Sequence, residues 1–217
     1  MNLAIKTLFA GLALILAGCG TTYEAAKAAY DNAIPCCKNL SEIRYQNLAE
    51  KEITLIDVNQ SSQVFTFDSG KSYVAAFEIP RHDATISFRL KSYLMGDSVD
   101  ESHVFFPKVM VLDSRYSLLN EYSTEGLAIV HVPLKEAYAE NPKGINAKLE
   151  ADFPLSADAR YIVIYTTADI LSKITVFSVS IAVPIIAPGV VAVIPTSRYR
   201  NVNIRHSPFG RLSLLLE

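Results

Sequence analysis

From about residue 52 to the end of the chain, apolar side chains recur at every second position. In ATISFRLKSYL (84–94), Ile86, Phe88, Leu90 and Leu94 fall on one face, and Thr85, Ser87, Arg89, Lys91 and Tyr93 on the other. A period of two with one polar face predicts a strand with one covered and one wet side. SYVAAFEI (72–79) groups Tyr73, Ala75, Phe77 and Ile79 in the same way. VFFPKVMVL (104–112) is apolar on both faces, which predicts a central or covered strand, and Pro107 within it predicts a bulge or an edge. Asp113-Ser114-Arg115-Tyr116 is a turn opened by aspartate. LAIVHV, YIVIYTT, ITVFSVSIAV and RLSLLLE continue the strand series.

Two helical pieces interrupt it. PLKEAYAEN starts at Pro133 and pairs Leu134 with Tyr138 at i, i+4; residues 169–173 form one turn. Eight to ten short strands with such insertions predict an all-β chain, an antiparallel β-sandwich of jelly-roll-like form. Before residue 52 the period is helical. TTYEAAKAAYDNA (21–33) is alanine-rich, Thr22 can cap it, and Pro35 ends it. Asn39 and Glu42 have capping-box spacing, predicting one more turn at 40–45. The first helix reads as a tether.

The first twenty residues change the picture. Lys6 precedes an apolar run, Leu8–Leu16, that is shorter than the roughly 20 residues a spanning helix needs. The run fits a secretory leader. It ends Leu16-Ala17-Gly18-Cys19, which resembles a bacterial lipobox, with the Cys19 thiol as the acylated (palmitate-type) site. The expected organisation is a lipoprotein signal peptide over 1–18, a lipidated Cys19 and helical tether over 19–35, and the β-sandwich over 36–217. Gly20 after the lipidated cysteine points to the outer membrane of a two-membrane cell, with the domain facing the periplasm. Several acyl chains anchor stably where one holds only marginally.

Composition narrows the function classes. Without Lys6 the mature chain carries 19 basic and 22 acidic side chains, mixed along its length, for a net charge of −3. No basic cluster points to nucleic acid. A domain of this size buries roughly 70% of its unfolded surface and folds without metal or disulfide. Cys36 and Cys37 nevertheless stand side by side in an oxidising compartment. Three readings stand: a vicinal disulfide that stiffens a turn, two thiols packed on the core, or a bridge to another molecule. The four histidines are scattered singly, which argues against a zinc site. No cofactor is implied.

The chain as a whole resembles the maltose operon periplasmic protein family. The resemblance is carried by CCKNLSEIRYQNL (36–48), FDSGKSYVAAFEIP (67–80), FFPKVMVLDSRY (105–116), YIVIYTTADIL (161–171) and RHSPFGRLSLLL (205–216). It implies an envelope protein linked to carbohydrate transport, particularly of maltodextrins, with no established catalysis and no agreed binding residues.

Candidate chemistry is sparse. Asp97, Asp100, Glu101 and His103 cluster in GDSVDESH without the spacing of a calcium loop. An enzyme would need two or more of them to converge in a pocket. Sugar rings stack on exposed aromatics; there is no tryptophan, and Tyr93, Tyr116, Tyr122 and Tyr199 are the candidate platforms among 11 tyrosines. IAVPIIAPGVVAVIP (181–195) is almost wholly apolar yet broken by prolines. It reads either as a long loop folded over the core or as an exposed patch around Ile185, Ile186, Val190 and Val191, with Arg198 and Arg200 beside it, for a partner or the membrane. The expected function is a non-catalytic lipoprotein that binds sugar or a transport component; the alternative is an envelope scaffold with no sugar ligand.

Overall fold

The structure, a computed structural model, describes residues 22–217 apart from 133, 143, 188 and 189, and the backbone alone at 134, 137, 138, 180–187 and 190–198. The leader, Cys19, Gly20, Pro133 and the side chains of Ile185, Ile186, Val190, Val191 and Arg198 lie outside the described residues.

In chain order the elements are α1 (Tyr23–Asp31), β1 (Gln46–Asn47), β2 (Thr54–Val58), β3 (Gln63–Phe67), β4 (Gly70–Glu78), β5 (Ile86–Tyr93), β6 (His103–Val104), β7 (Lys108–Leu112) and β8 (Leu118–Ser123). They continue with β9 (Val130–His131), α2 (Leu134–Glu140), β10 (Ala147–Leu155), β11 (Tyr161–Tyr165), α3 (Ala168–Leu171), β12 (Ile174–Ala187), β13 (Val190–His206) and β14 (Gly210–Leu216). One sheet runs β1-β4-β11-β7-β8, with β3 also on β4; a second runs β2-β14-β5-β10-β9. They pack face to face as a sandwich. Phe77, Val111 and Ile162 of the first share one core with Phe88, Phe153 and Leu212 of the second. Each fully buried ring or leucine stabilises by about 1.5–3 kcal/mol.

The antiparallel expectation holds for most pairs, but β1 joins β4 and β13 joins β6 in parallel. VFFPKVMVL is also not one strand. The chain leaves a third sheet, β12-β13-β6, at Val104 and enters the first at Lys108, so Pro107 marks a change of sheet. That third sheet overturns the loop reading of 181–195. The backbone there continues β12 and β13 as one long hairpin, with Pro184 opposite Val193 and Pro195 opposite Ala182. The ribbon is only two strands wide over this stretch among the described residues, so each strand keeps an open edge, where proline is tolerated. Its base is held by a second core containing Leu94, Phe106, Ile170, Phe177 and Ile204.

Helix α1 begins at its Thr22 cap, whose Oγ1 accepts from the Ala25 amide (3.3 Å). It is not a free tether, because Ala26 is fully buried in the main core. The Tyr30 hydroxyl donates to the Lys71 carbonyl (2.7 Å), and that of Tyr73 donates to the Ala29 carbonyl (3.1 Å). Arg205 pairs with Glu24 (2.8 Å).

Candidate functional site: an aromatic groove on the first sheet

β4 and β11 are apolar on both faces, so the outer face of the first sheet needs cover as well as the inner. Part of that cover is the segment around Cys37, Leu40, Ile43 and Tyr45, packed on Val74, Ala76 and Val163. Cys36 and Cys37 are joined by a disulfide. The segment is pinned to β3 by the Cys36 amide, which donates to the Val64 carbonyl (2.8 Å), and by a bridge between Cys37 and Phe65. The rest of the face is aromatic. Phe65 and Phe67 are two apart on β3, and Tyr161 and Tyr165 four apart on β11, so each pair shares a side. Phe67 stacks on Tyr165 with centroids 4.0 Å apart, and Phe65 meets Phe67 edge-on at 4.9 Å. Tyr116 stacks on Tyr161 at 4.5 Å, with Tyr45 4.7 Å from Tyr161.

The Tyr116 ring is delivered by a strained turn. Asp113 Oδ1 accepts from the amides of Arg115 (2.7 Å) and Ser117 (2.9 Å), which closes the β7–β8 hairpin. Tyr116 takes φ 62°, the left-handed region that a bulky residue rarely adopts.

Between these rings the face opens as a groove of about 850 Å³, walled by Lys38–Ser41, by Thr66–Ser69 and by the β7–β8 hairpin, with Phe67, Met110, Tyr116 and Tyr165 among its lining. The Tyr165 hydroxyl donates to Glu121 Oε2 (2.7 Å), and Lys108 Nζ lies 3.1 Å from Glu121 Oε1. Burial pushes the Glu121 carboxyl up, but the bonds from Tyr165 and Lys108 and the lysine charge outweigh it, so the carboxyl sits below its ordinary range. Burial and the Glu121 contact push the Tyr165 hydroxyl up. The groove therefore holds aromatic faces beside fixed donors and acceptors, with Asn39, Asp68 and Arg115 also lining it. About half of the lining is polar or charged, which suits a ligand that carries many hydroxyls better than a wholly apolar one.

Of the four candidate tyrosines, only Tyr116 lines this groove. Tyr93 is fully buried and offers no face to a ligand. It does lie on the side of β5 facing away from the core, but α2 covers that end of the sheet. Its hydroxyl contacts Glu140 Oε2 (2.6 Å) and Glu136 Oε1 (3.1 Å), within a cluster completed by Lys91 and Lys148. Tyr122 is half-buried against Phe153 and donates to the Pro154 carbonyl (2.7 Å). Tyr199 is exposed on β13, away from the groove. Sequence reasoning missed Tyr165, Phe67, Lys108 and Glu121. The available signal was the two-sided apolar character of YIVIY, which demands a covered outer face.

Asp97, Asp100, Glu101 and His103 do line one cavity, of about 330 Å³, with Tyr23, Glu24 and Arg205. Asp100 is taken by Arg200 (2.7 Å) and Glu24 by Arg205. His103 is buried, which pushes its pKa down to about 4 and leaves the ring neutral near pH 7. Among the described residues no group of three or more His, Cys, Asp or Glu is placed to hold a metal, and no helix is long and apolar enough to cross a membrane.

Fold and groove together define a β-sandwich with an aromatic cleft on an outer face. The model of one family, described as maltose operon periplasmic protein precursor (MalM), matches residues 69–216, and the chain belongs to that family. Comparison with curated proteins and with solved structures found no match.

Proposed function

We propose that the protein is a non-catalytic lipoprotein, anchored through Cys19 to the outer membrane and facing the periplasm, which assists carbohydrate uptake by binding maltodextrin-like sugar in the aromatic groove. One observation carries the reading: Tyr116, held in a left-handed backbone conformation, presents its ring in a groove shared with Phe67 and Tyr165 and flanked by the Lys108–Glu121 pair. Sugar rings offer C–H faces to aromatic rings and hydroxyls to charged groups, and both partners are present. Family membership supports the maltose link, and the Leu16–Cys19 signature supports the anchor.

The test is calorimetric titration of the mature chain, Cys19 replaced by serine, with maltodextrins of increasing length, alongside its melting temperature. A ligand that binds only the folded state raises that temperature. Saturable heat and a raised melting temperature, both lost in Tyr116→Gly, support sugar binding. A folded chain that gives neither leaves the scaffold alternative, an envelope interaction lipoprotein with no sugar ligand.

A further inference from the structure

The far half of the β12–β13 ribbon is apolar on both sides. Its register places Ala182 with Pro195, Pro184 with Val193 and Ile186 with Val191 on one face. Val183 with Ile194, Ile185 with Ala192 and Ala187 with Val190 make up the other. No charged residue occurs between Lys173 and Arg198. A ribbon that merely extended a sandwich would keep one polar face. This one changes abruptly at Arg198, Tyr199 and Arg200, from basic and aromatic to wholly apolar.

The start of α1 lies beside the same ribbon. Thr22–Glu24 share a cavity wall with Asn203 and Arg205, and the Arg205 guanidinium lies 4.9 Å from the centre of the Tyr23 ring. Tyr30 and Asp31, at the other end of the helix, share a wall with His206 and Pro208. Tyr23 lines that second cavity too, so the helix lies alongside β13, and its first residues are the ones that also reach Asn203 and Arg205. Cys19 stands three residues before Thr22, a reach of at most about 11 Å at about 3.6 Å per residue. Three residues from Asn203 toward the hairpin end, at about 3.3 Å each, lead to Arg200. A lipid on Cys19 is therefore within chain reach of the basic-to-apolar boundary of the ribbon.

We infer that the apolar half of the β12–β13 ribbon is a second membrane contact. It seats in the headgroup–acyl boundary of the leaflet that holds the Cys19 lipid, with the basic end of the ribbon, Arg198 and the Arg200 that pairs with Asp100 (2.7 Å), at headgroup level. The geometry rests on the Cys19 anchor of the proposed function. The ribbon lies in the boundary and does not span the bilayer. Its two open edges would leave amides and carbonyls bare in hydrocarbon, whereas the hydrated boundary satisfies them. A protein groove or a second copy of the chain is the competing occupant. A wholly apolar stretch with a basic boundary, within chain reach of the acylated residue, favours the membrane.

The chain has no tryptophan, so one introduced at Ile185 reports alone. Ile185→Trp is made in the mature chain carrying Cys19→Ser, so that no acyl group contributes, and mixed with vesicles of phosphatidylethanolamine and phosphatidylglycerol. The expected result is a blue-shifted emission, quenching by acyl-brominated lipid, and co-sedimentation, with no shift for Ile53→Trp on the sandwich. Replacing Arg198 and Arg200 by glutamine weakens partition roughly tenfold at low salt. Unshifted emission from a chain that is folded by circular dichroism overturns the inference. So does a concentration-dependent blue shift without vesicles, which assigns the ribbon to a second copy. The anchor is read separately, from the mass of the chain extracted from envelopes. An acylated mass with unshifted emission removes the ribbon contact and keeps the anchor. A vesicle-induced shift with an unacylated native mass keeps the contact and removes the anchor.

Discussion

Tyr116 stacks on Tyr161 with ring centroids 4.5 Å apart and planes 13° apart, and it does so from a backbone held at φ 62°. Two effects of similar size oppose each other there. A left-handed non-glycine residue costs about 1–3 kcal/mol, and an aromatic pair returns about 0.5–1.5 kcal/mol. Tyr116→Gly removes both, so its urea-unfolding free energy should stay within about 1 kcal/mol of the parent. Affinity for maltodextrin should fall at least about tenfold in calorimetry. A large stability loss with unchanged affinity would mark the tyrosine as a packing residue.

The charged cluster under α2 should behave differently. Glu140 and Lys148 are nearly buried, with 8% and 6% of their side chains exposed, and each has partners of the opposite charge. Glu140→Ala takes an acceptor from Tyr93 but leaves Lys91 with Glu136, and is expected to cost about 1–3 kcal/mol. Tyr93→Phe keeps the ring and loses bonds to charged acceptors, for about 1.5–3 kcal/mol. Urea titration of both variants measures this, and neither should alter sugar affinity, because the cluster lies outside the groove.

Acid should destabilise the fold through His103. Its folded pKa is lowered by burial from 6.5 to about 4, so the unfolded chain takes up a proton first as pH falls. The stability held by the neutral ring is complete above about pH 6.5 and is lost progressively down to about pH 4, amounting to about 3 kcal/mol. Unfolding curves between pH 7 and 4 should show this slope in the parent and a shallower one in His103→Phe. Parallel slopes would refute it.

Replacing Cys36 and Cys37 by serine opens a very small ring. The expected stability loss is about 1 kcal/mol, far below that for a long loop. Non-reducing mass spectrometry should show the parent monomeric and two hydrogens lighter than its reduced form. A covalent dimer would place the bridge between chains.

The strands were legible because their covering is simple. Phe88 and Leu90 on β5, and Leu212, Leu214 and Leu216 on β14, alternate into one core. What failed was what depends on a second element. Tyr93 lies on the side of β5 that the alternation marks as polar, but only the placement of α2 tells that this end is closed. Pro107 was visible as an interruption, but a single residue does not say whether a chain bulges or changes sheet. The prolines of 181–195 read as loop breakers, yet they are compatible with a two-stranded ribbon, whose open edges need no amide donor. The groove needed five segments to meet, from Lys38 to Tyr165, and no local pattern encodes that meeting.

The place of β14 sets an order of events. It lies between β2 and β5, so β2 has no sheet partner, and β5 has β10 alone, until residues 210–216 are present. A chain delivered N-terminus first therefore cannot close its main core early, and the pairing of β2 with β14 spans most of its length. Such long-range closure is slow. Export through the leader proposed above would use that delay, which keeps the chain extended and able to thread a translocation channel until β14 has passed.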